Sequence, residues 1–109
     1  MRTFYSCLYR SVLFPRMFHE VNAKGETVHY SPYNGEIRPG YMFTDTGFWD
    51  TFRCLFPFVN LIYPSMGEKM QEGLLNTYLE SGFFPEWASP GHRGCMVGNN
   101  SASVVAMLL

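Results

Sequence analysis

Trp49, Asp50 and Arg53 are the first candidates for a ligand-binding site. Asp50 and Arg53 lie three positions apart, so on a helix the carboxylate and the guanidinium share one face beside the indole. Such charged groups bind the vicinal hydroxyls of a sugar, and an indole packs on the apolar face of a pyranose ring. The same spacing also fits an intrahelical ion pair beside a core tryptophan.

Glu86 and Trp87 form a second candidate pair in a long loop predicted over residues 83–98. Functional residues are often held on loops, and a carboxyl group packed against an indole is suited to act as a general acid. The alternative is a solvated carboxylate beside a structural tryptophan. Glycoside hydrolysis normally uses two carboxylates that flank the scissile bond, so Asp50 and Glu86 are the first pair to consider.

Other kinds of site have little support in the sequence. His92 and Cys95 are possible metal ligands, but two ligands do not make a site. The serines lie in no nucleophile elbow, and the glycines form neither a P-loop nor a dinucleotide fingerprint. Cys7, Cys54 and Cys95 contain no CxxC pair. We therefore expect each cysteine to be a small buried hydrophobe and predict no catalytic or metal-binding residue from motifs.

Composition narrows the classes of protein to consider. The 109 residues suffice for one small domain, and the formal net charge of -1 gives no basic surface for nucleic acid or an anionic membrane. The most apolar run, residues 54–63, is far shorter than the roughly 20 residues of a membrane span. Only 16% of residues are charged and 17% are aromatic. The chain therefore has either an aromatic-rich core or faces that need partners from a larger protein.

Apolar periodicity predicts four helices. The first runs from Phe4 to about Phe14, before Pro15. The second is capped by Asp45 or Thr46, with a kink or an early stop at Pro57. The third begins in a capping box at Ser65 and ends at Gly82, and the fourth is capped by Asn99 or Asn100 and continues through Leu108. The third follows the second after a two-residue connection, so the two should pack antiparallel.

Turn signals at Lys24-Gly25 and Asn34-Gly35 interrupt the region between the first two helices. Weak alternation near residues 18–21 and 27–30 predicts a small hairpin or an extended excursion, with loop around it. From periodicity alone we expect a mainly α chain with this excursion.

Four blocks of the sequence are similar to glycoside hydrolase family 92. Residues 47–53 (GFWDTFR), followed by Leu55-Phe56-Pro57, resemble that family's Trp-Asp-Thr-Phe-Arg block. Residues 4–18 resemble the helix that precedes it, and residues 84–87 (FPEW) and 94–99 (GCMVGN) follow in the family's order. The resemblance covers nearly the whole chain.

This resemblance implies a calcium-dependent, exo-acting α-mannosidase that inverts the anomeric centre and releases terminal mannose from glycans. The family fold joins a β-sandwich to an (α/α)6 barrel. Residues 1–109 would be a fragment of that catalytic domain, supplying consecutive barrel helices. The family's habit of acting on external glycans implies a secreted, periplasmic or cell-surface enzyme.

The resemblance also implies a role for each candidate residue. It implies that Asp50 and Arg53 bind the terminal mannose, that Trp49 packs beside them, and that Glu86 and Trp87 lie near the rim of the active site. The family's general acid, general base and most calcium ligands come from motifs nearer the C-terminus, which this sequence lacks.

We therefore expect the isolated chain to be inactive without the rest of the parent enzyme. The family usually continues with an acidic residue after positions 104–106, whereas this chain reads Met107-Leu108-Leu109. The alternatives are a small helical protein-interaction module and a remnant without function.

Overall fold

The structure is a computed structural model, and it describes residues 1–107. Its helices are α1 (Arg2–Ser11), α2 (Phe48–Thr51), α3 (Leu55–Ile62), α4 (Pro64–Ser81) and α5 (Ser101–Ala106). Its strands are β1 (Arg16–Met17), β2 (Glu20–Val21), β3 (Thr27–Tyr30), β4 (Ile37–Pro39), β5 (Phe43–Thr44), β6 (Thr46–Gly47) and β7 (Trp87–Ala88). The strands form three antiparallel sheets, ordered β1–β5, β2–β3–β4 and β6–β7.

The prediction of a mainly α fold built from helices of an (α/α)6 barrel is wrong, because the described chain mixes helices with three sheets. Five of the seven strands are two residues long. A two-residue strand is too short to show the alternation by which a strand is recognised in a sequence. The pairing of such a short strand depends on which segment the tertiary structure brings next to it.

The predicted hairpin is confirmed and proves to be larger than expected. The turns at Gly25 and Gly35 both use positive φ values, 82° and 75°, which glycine adopts without a steric penalty. The second turn leads into β4, a segment that was predicted to be loop, and Arg38 of β4 pairs with His29 of β3.

The second predicted helix is broken into α2 and α3. Pro57 lies in the first turn of α3, where its missing N–H leaves no helical hydrogen bond unmade, so the break precedes the proline. The predicted cap at Asp45 or Thr46 is wrong, because Gly47 occupies the N-cap position of α2 and no side chain caps the helix. Asp45 adopts φ 59° and accepts a hydrogen bond from the Ser89 hydroxyl at 3.1 Å, and its other oxygen lies 3.6 Å from Arg16.

The third helix begins one residue earlier than its predicted cap. Pro64 occupies the first turn of α4, a favoured proline position, and no side chain caps the helix, so the capping box at Ser65 is wrong. The stop at Gly82 is confirmed, with φ 82°. The fourth predicted helix is α5, with Asn100 at its N-cap position, and Leu108 lies outside the described residues.

The first helix ends at Ser11, three residues short of the predicted end, and none of its residues is buried. The core lies instead where α2, α3, α4 and α5 meet, at Phe48, Phe56, Leu74 and Val104.

The three cysteines are exposed, so their predicted burial is wrong. No helix among the described residues is long and apolar enough to cross a membrane.

A buried polar contact joins the three-stranded sheet to α4. His29 Nε2 lies 2.7 Å from Glu80 Oε1, and the two side chains are 0% and 5% exposed. His29 Nδ1 lies 2.9 Å from the Gly40 carbonyl oxygen. A carbonyl can only accept, so Nδ1 donates its proton there, and a second proton joins Nε2 to the carboxyl group. The contact fixes the sheet to the helix.

Removing one partner of this buried pair should destabilise the fold. Glu80→Ala leaves His29 without its partner, and we expect a loss of about 3–5 kcal/mol in the free energy of unfolding, measured by urea denaturation. Glu36→Ala is the matched control, because Glu36 faces Arg38 at 3.5 Å in an exposed pair. It should change stability by no more than about 1 kcal/mol. Equal losses for the two variants would contradict the structural importance of the buried contact.

Candidate functional site

The pairing of β6 with β7 brings the long loop to the beginning of α2. Gly47 lies opposite Trp87 in this ladder, and Thr46 lies opposite Ala88. The Phe48 N–H, at the start of α2, donates to the Glu86 carbonyl at 3.3 Å. Residues separated by about forty positions in the sequence thereby form one local structure.

Trp87 and Asp50 meet above the backbone of Gly47. A Cβ atom built at Gly47 would lie 2.5 Å from two atoms of the Trp87 ring, Cε3 and Cζ3, and 2.7 Å from Asp50 Oδ2. Because both groups lie within 2.7 Å of the same point, the Asp50 carboxylate and the Trp87 ring are close neighbours. Asp50 is exposed and Trp87 is half-buried, so a hydroxylated ligand can reach both groups.

Arg53 folds back on its own helix. Its guanidinium carbon lies 5.0 Å from the centre of the Trp49 ring and 4.4 Å from that of Phe52. Its Nη1 donates to the Trp49 carbonyl at 3.1 Å. Among residues 1–107 no ion pair joins Arg53 to Asp50, so the intrahelical pair that their spacing permits is not formed. The Asp50 carboxylate is therefore not neutralised by this arginine.

A cleft of about 590 Å³ opens beside Asp50, between α1 and the segment that contains α2 and α3. Arg10 and Ser11 of α1 line one wall, and Asp50 and Thr51 of α2 line the other. The remaining lining is largely apolar and includes Phe58. A pocket with apolar walls and a few polar groups is suited to a sugar, which presents both kinds of surface.

The structure thus divides the five predicted site residues into two groups. Asp50, Trp87 and the main chain of Glu86 meet around Gly47, whereas Trp49 and Arg53 pack on each other. Sequence reasoning did not single out Arg10 or Ser11, which only the folded chain places opposite Asp50. Gly47 could have been found in the sequence from its position directly before Phe48, Trp49 and Asp50.

The segment behind β7 is held from two sides. The Arg93 N–H donates to the Trp87 carbonyl at 2.9 Å, which fixes the main chain of β7. His92 Nε2 lies 2.8 Å from the Ser81 hydroxyl at the end of α4, and its ring packs 4.8 Å from that of Tyr33. Burial lowers the pKa of His92 below its ordinary value of 6.5.

The described residues do not assemble a metal site. In residues 1–107, no group of three or more histidine, cysteine, aspartate or glutamate side chains is arranged to hold a metal ion. Asp50 and Glu86 therefore do not fit a calcium site by themselves, since calcium takes six to eight oxygen ligands.

Comparison with known proteins gives a consistent result over the whole chain. The profile of the glycosyl hydrolase family 92 catalytic domain matches residues 1–109. A solved structure of a family 92 inverting mannosidase from Bacteroides thetaiotaomicron is 58% identical, with a TM-score of 0.93. The match covers 97% of this chain and 15% of the solved one, so the chain spans a small part of that relative's length. No curated protein matches the chain significantly.

The lowered pKa of His92 gives a testable pH dependence. The unfolded chain takes up this proton at higher pH than the folded chain does. Stability should therefore fall as pH drops from above 6.5 through the folded pKa of His92. NMR titration of the His92 ring should give a midpoint below 6.5. His92→Gln identifies the signal and should flatten this part of the stability profile. His92 is an exposed residue whose ring is partly covered, and a midpoint at or above 6.5 would contradict an effect of that partial burial on the pKa.

Proposed function

The chain belongs to glycosyl hydrolase family 92, and on that premise we propose that it forms part of the sugar-binding wall of an exo-acting α-mannosidase. The parent enzyme would release terminal α-linked mannose from glycans and invert the anomeric centre. This chain would contribute to binding the terminal mannose.

The observation that carries the proposal is the likeness to the solved inverting mannosidase, 58% identical over 97% of this chain. Identity at that level preserves the backbone and most of its side-chain environments. The family match to the catalytic domain along residues 1–109 supports the same conclusion.

The geometry around Gly47 supports a role in holding a pyranose ring. The Asp50 carboxylate can accept hydrogen bonds from two neighbouring hydroxyls, and hydrogen bonds to charged groups are stronger than neutral ones. The Trp87 ring, next to it, offers a flat apolar surface for the C–H face of the sugar. Within residues 1–107 the Asp50 carboxylate has no ion-pair partner, so it is available to make these bonds.

We propose supporting roles for the other candidates. Arg53 donates one N–H to the Trp49 carbonyl and keeps further donors for a sugar hydroxyl, while Trp49 holds the guanidinium in place by stacking. Glu86 lies at the rim, where its main chain is fixed against the start of α2.

Bond cleavage is proposed to depend on residues outside this chain. Glycoside hydrolysis needs a general acid and a general base on opposite sides of the scissile bond, and we assign neither role to Asp50 or Glu86. We also propose that the parent enzyme requires calcium. Since the described residues do not fit a calcium site, its ligands would lie elsewhere in the parent.

The rest of the parent enzyme is the proposed partner of this chain. The solved relative is several times longer, and α1 exposes aromatic residues such as Phe4, Tyr5 and Tyr9 that a partner surface would cover. We propose a secreted, periplasmic or cell-surface location, because terminal mannose is carried mainly by glycans outside the cytoplasm.

Replacing Asp50 should weaken mannoside binding by the 109-residue chain. Saturation-transfer NMR with methyl α-mannoside should detect binding by the wild type and a loss of about tenfold or more in Asp50→Asn, since a hydrogen bond to a charged group contributes about 1.5–3 kcal/mol. Glu36→Gln is the control, because Glu36 is an exposed carboxylate on the three-stranded sheet. Equal binding by the two variants would contradict the role of Asp50.

The purified chain should release no mannose from an α-linked mannobiose, because the proposed acid and base are absent. Free mannose is measured by chromatography after prolonged incubation, with boiled protein as the background. Turnover above that background would overturn the assignment of catalysis to other parts of the enzyme. A cooperative melt without any response to mannoside would favour the protein-interaction module instead.

A further inference from the structure

Gly47 is buried, yet its backbone does not require glycine. Its φ of -98° and ψ of 120° are extended values that any residue adopts. This sets it apart from glycines such as Gly25 and Gly82, whose positive φ values explain their presence. Glycine at position 47 is therefore explained by the lack of room for a side chain.

Two side chains of the proposed sugar site occupy that space. Cβ atoms are essentially never found closer than 3.0 Å to a heavy atom of a residue that is not a chain neighbour, and at Gly47 both the Trp87 ring, at 2.5 Å, and Asp50 Oδ2, at 2.7 Å, fall inside that limit. A methyl group here would displace both side chains.

Trp87 has little freedom to accommodate such a change by moving its main chain. Its backbone pairs with Gly47 in the β6–β7 ladder, and its carbonyl accepts from the Arg93 N–H. The preceding Pro85 is fully buried. The indole would have to rotate about its own side-chain bonds, which would change the surface that it offers to a ligand.

We infer that Gly47 is a positioning residue that sets the spacing between the Asp50 carboxylate and the Trp87 ring, so that one pyranose contacts both. The inference rests on the proposed function, because it treats these two groups as the sugar-binding surface. It adds a positioning role for a residue that has no side chain of its own.

A double-substitution cycle on the 109-residue chain tests the inference. Gly47→Ala is combined with Trp87→Phe, because phenylalanine lacks the two ring atoms, Cε3 and Cζ3, that crowd Gly47. Gly94→Ala is the matched control, since no atom lies within 4 Å of a Cβ there and its φ is ordinary. Thermal melts and methyl α-mannoside affinity are measured for each variant.

The indole N–H signals report the spacing directly. The chain has two tryptophans, so Trp49→Phe assigns their two signals in an NMR spectrum. Asp50→Asn should shift the Trp87 signal in the wild-type background and shift it much less in the Gly47→Ala background. Gly94→Ala should leave the Trp87 signal unchanged.

We expect Gly47→Ala to lower mannoside affinity about tenfold or more, as loss of a charged hydrogen bond does, and Gly94→Ala to leave it within about twofold. In the Trp87→Phe background, Gly47→Ala should lower the melting temperature less than it does in the wild type, because only the contact with Asp50 Oδ2 then remains. If Gly47→Ala alone does not fold, its rescue by Trp87→Phe supports the inference, and a failure to rescue overturns it.

Additive effects of the two substitutions, or an unmoved Trp87 signal in Gly47→Ala, would also overturn the inference. A wild-type chain that does not respond to the mannoside would overturn the proposed function and with it the role of Gly47 in sugar binding. In that case the indole shifts still decide whether Gly47 sets the spacing.

Discussion

The close approach of the β7 strand to Gly47 is the constraint on which the candidate site depends. The ladder between β6 and β7 sets Trp87 against a residue that has no side chain, and the first turn of α2 follows at once with Asp50. The strand pairing contributes only a few hydrogen bonds, but it fixes the relative position of two segments that are distant in sequence. Any group that enlarged position 47 would act on the carboxylate and the indole together.

A second set of contacts also helps to position β7. The His29–Glu80 contact holds the three-stranded sheet against α4, and that sheet in turn places Tyr33 against His92. His92 is bonded to the end of α4 and is next in sequence to Arg93, which binds the main chain of Trp87. Buried polar contacts of this kind are weak sources of net stability but are strongly directional, so they determine where the sheet sits. The indole is thereby positioned from both the α2 side and the α4 side.

Much of the apolar surface of the described residues lies outside the buried core. The core formed by α2 to α5 is small, and α1 contributes no buried residue to it. The match covers 15% of a solved family 92 mannosidase, and exposed apolar surface of this extent is typical of faces that contact other protein surfaces.

Local patterns along the chain were enough to predict the helices with clear periodicity, the glycine turns and the family resemblance. The stop at Gly82 and the turns at Gly25 and Gly35 follow from local backbone preferences, which act within a few residues. Residue type suggested Asp50 and Trp87 as site residues, but not that they meet at Gly47, because no local rule connects positions so far apart in the sequence. The two-residue strands, the His29–Glu80 contact and the exposure of the cysteines were likewise decided by tertiary structure. Their energies come from neighbours that only the folded chain supplies, and a pattern read along the sequence does not contain those neighbours.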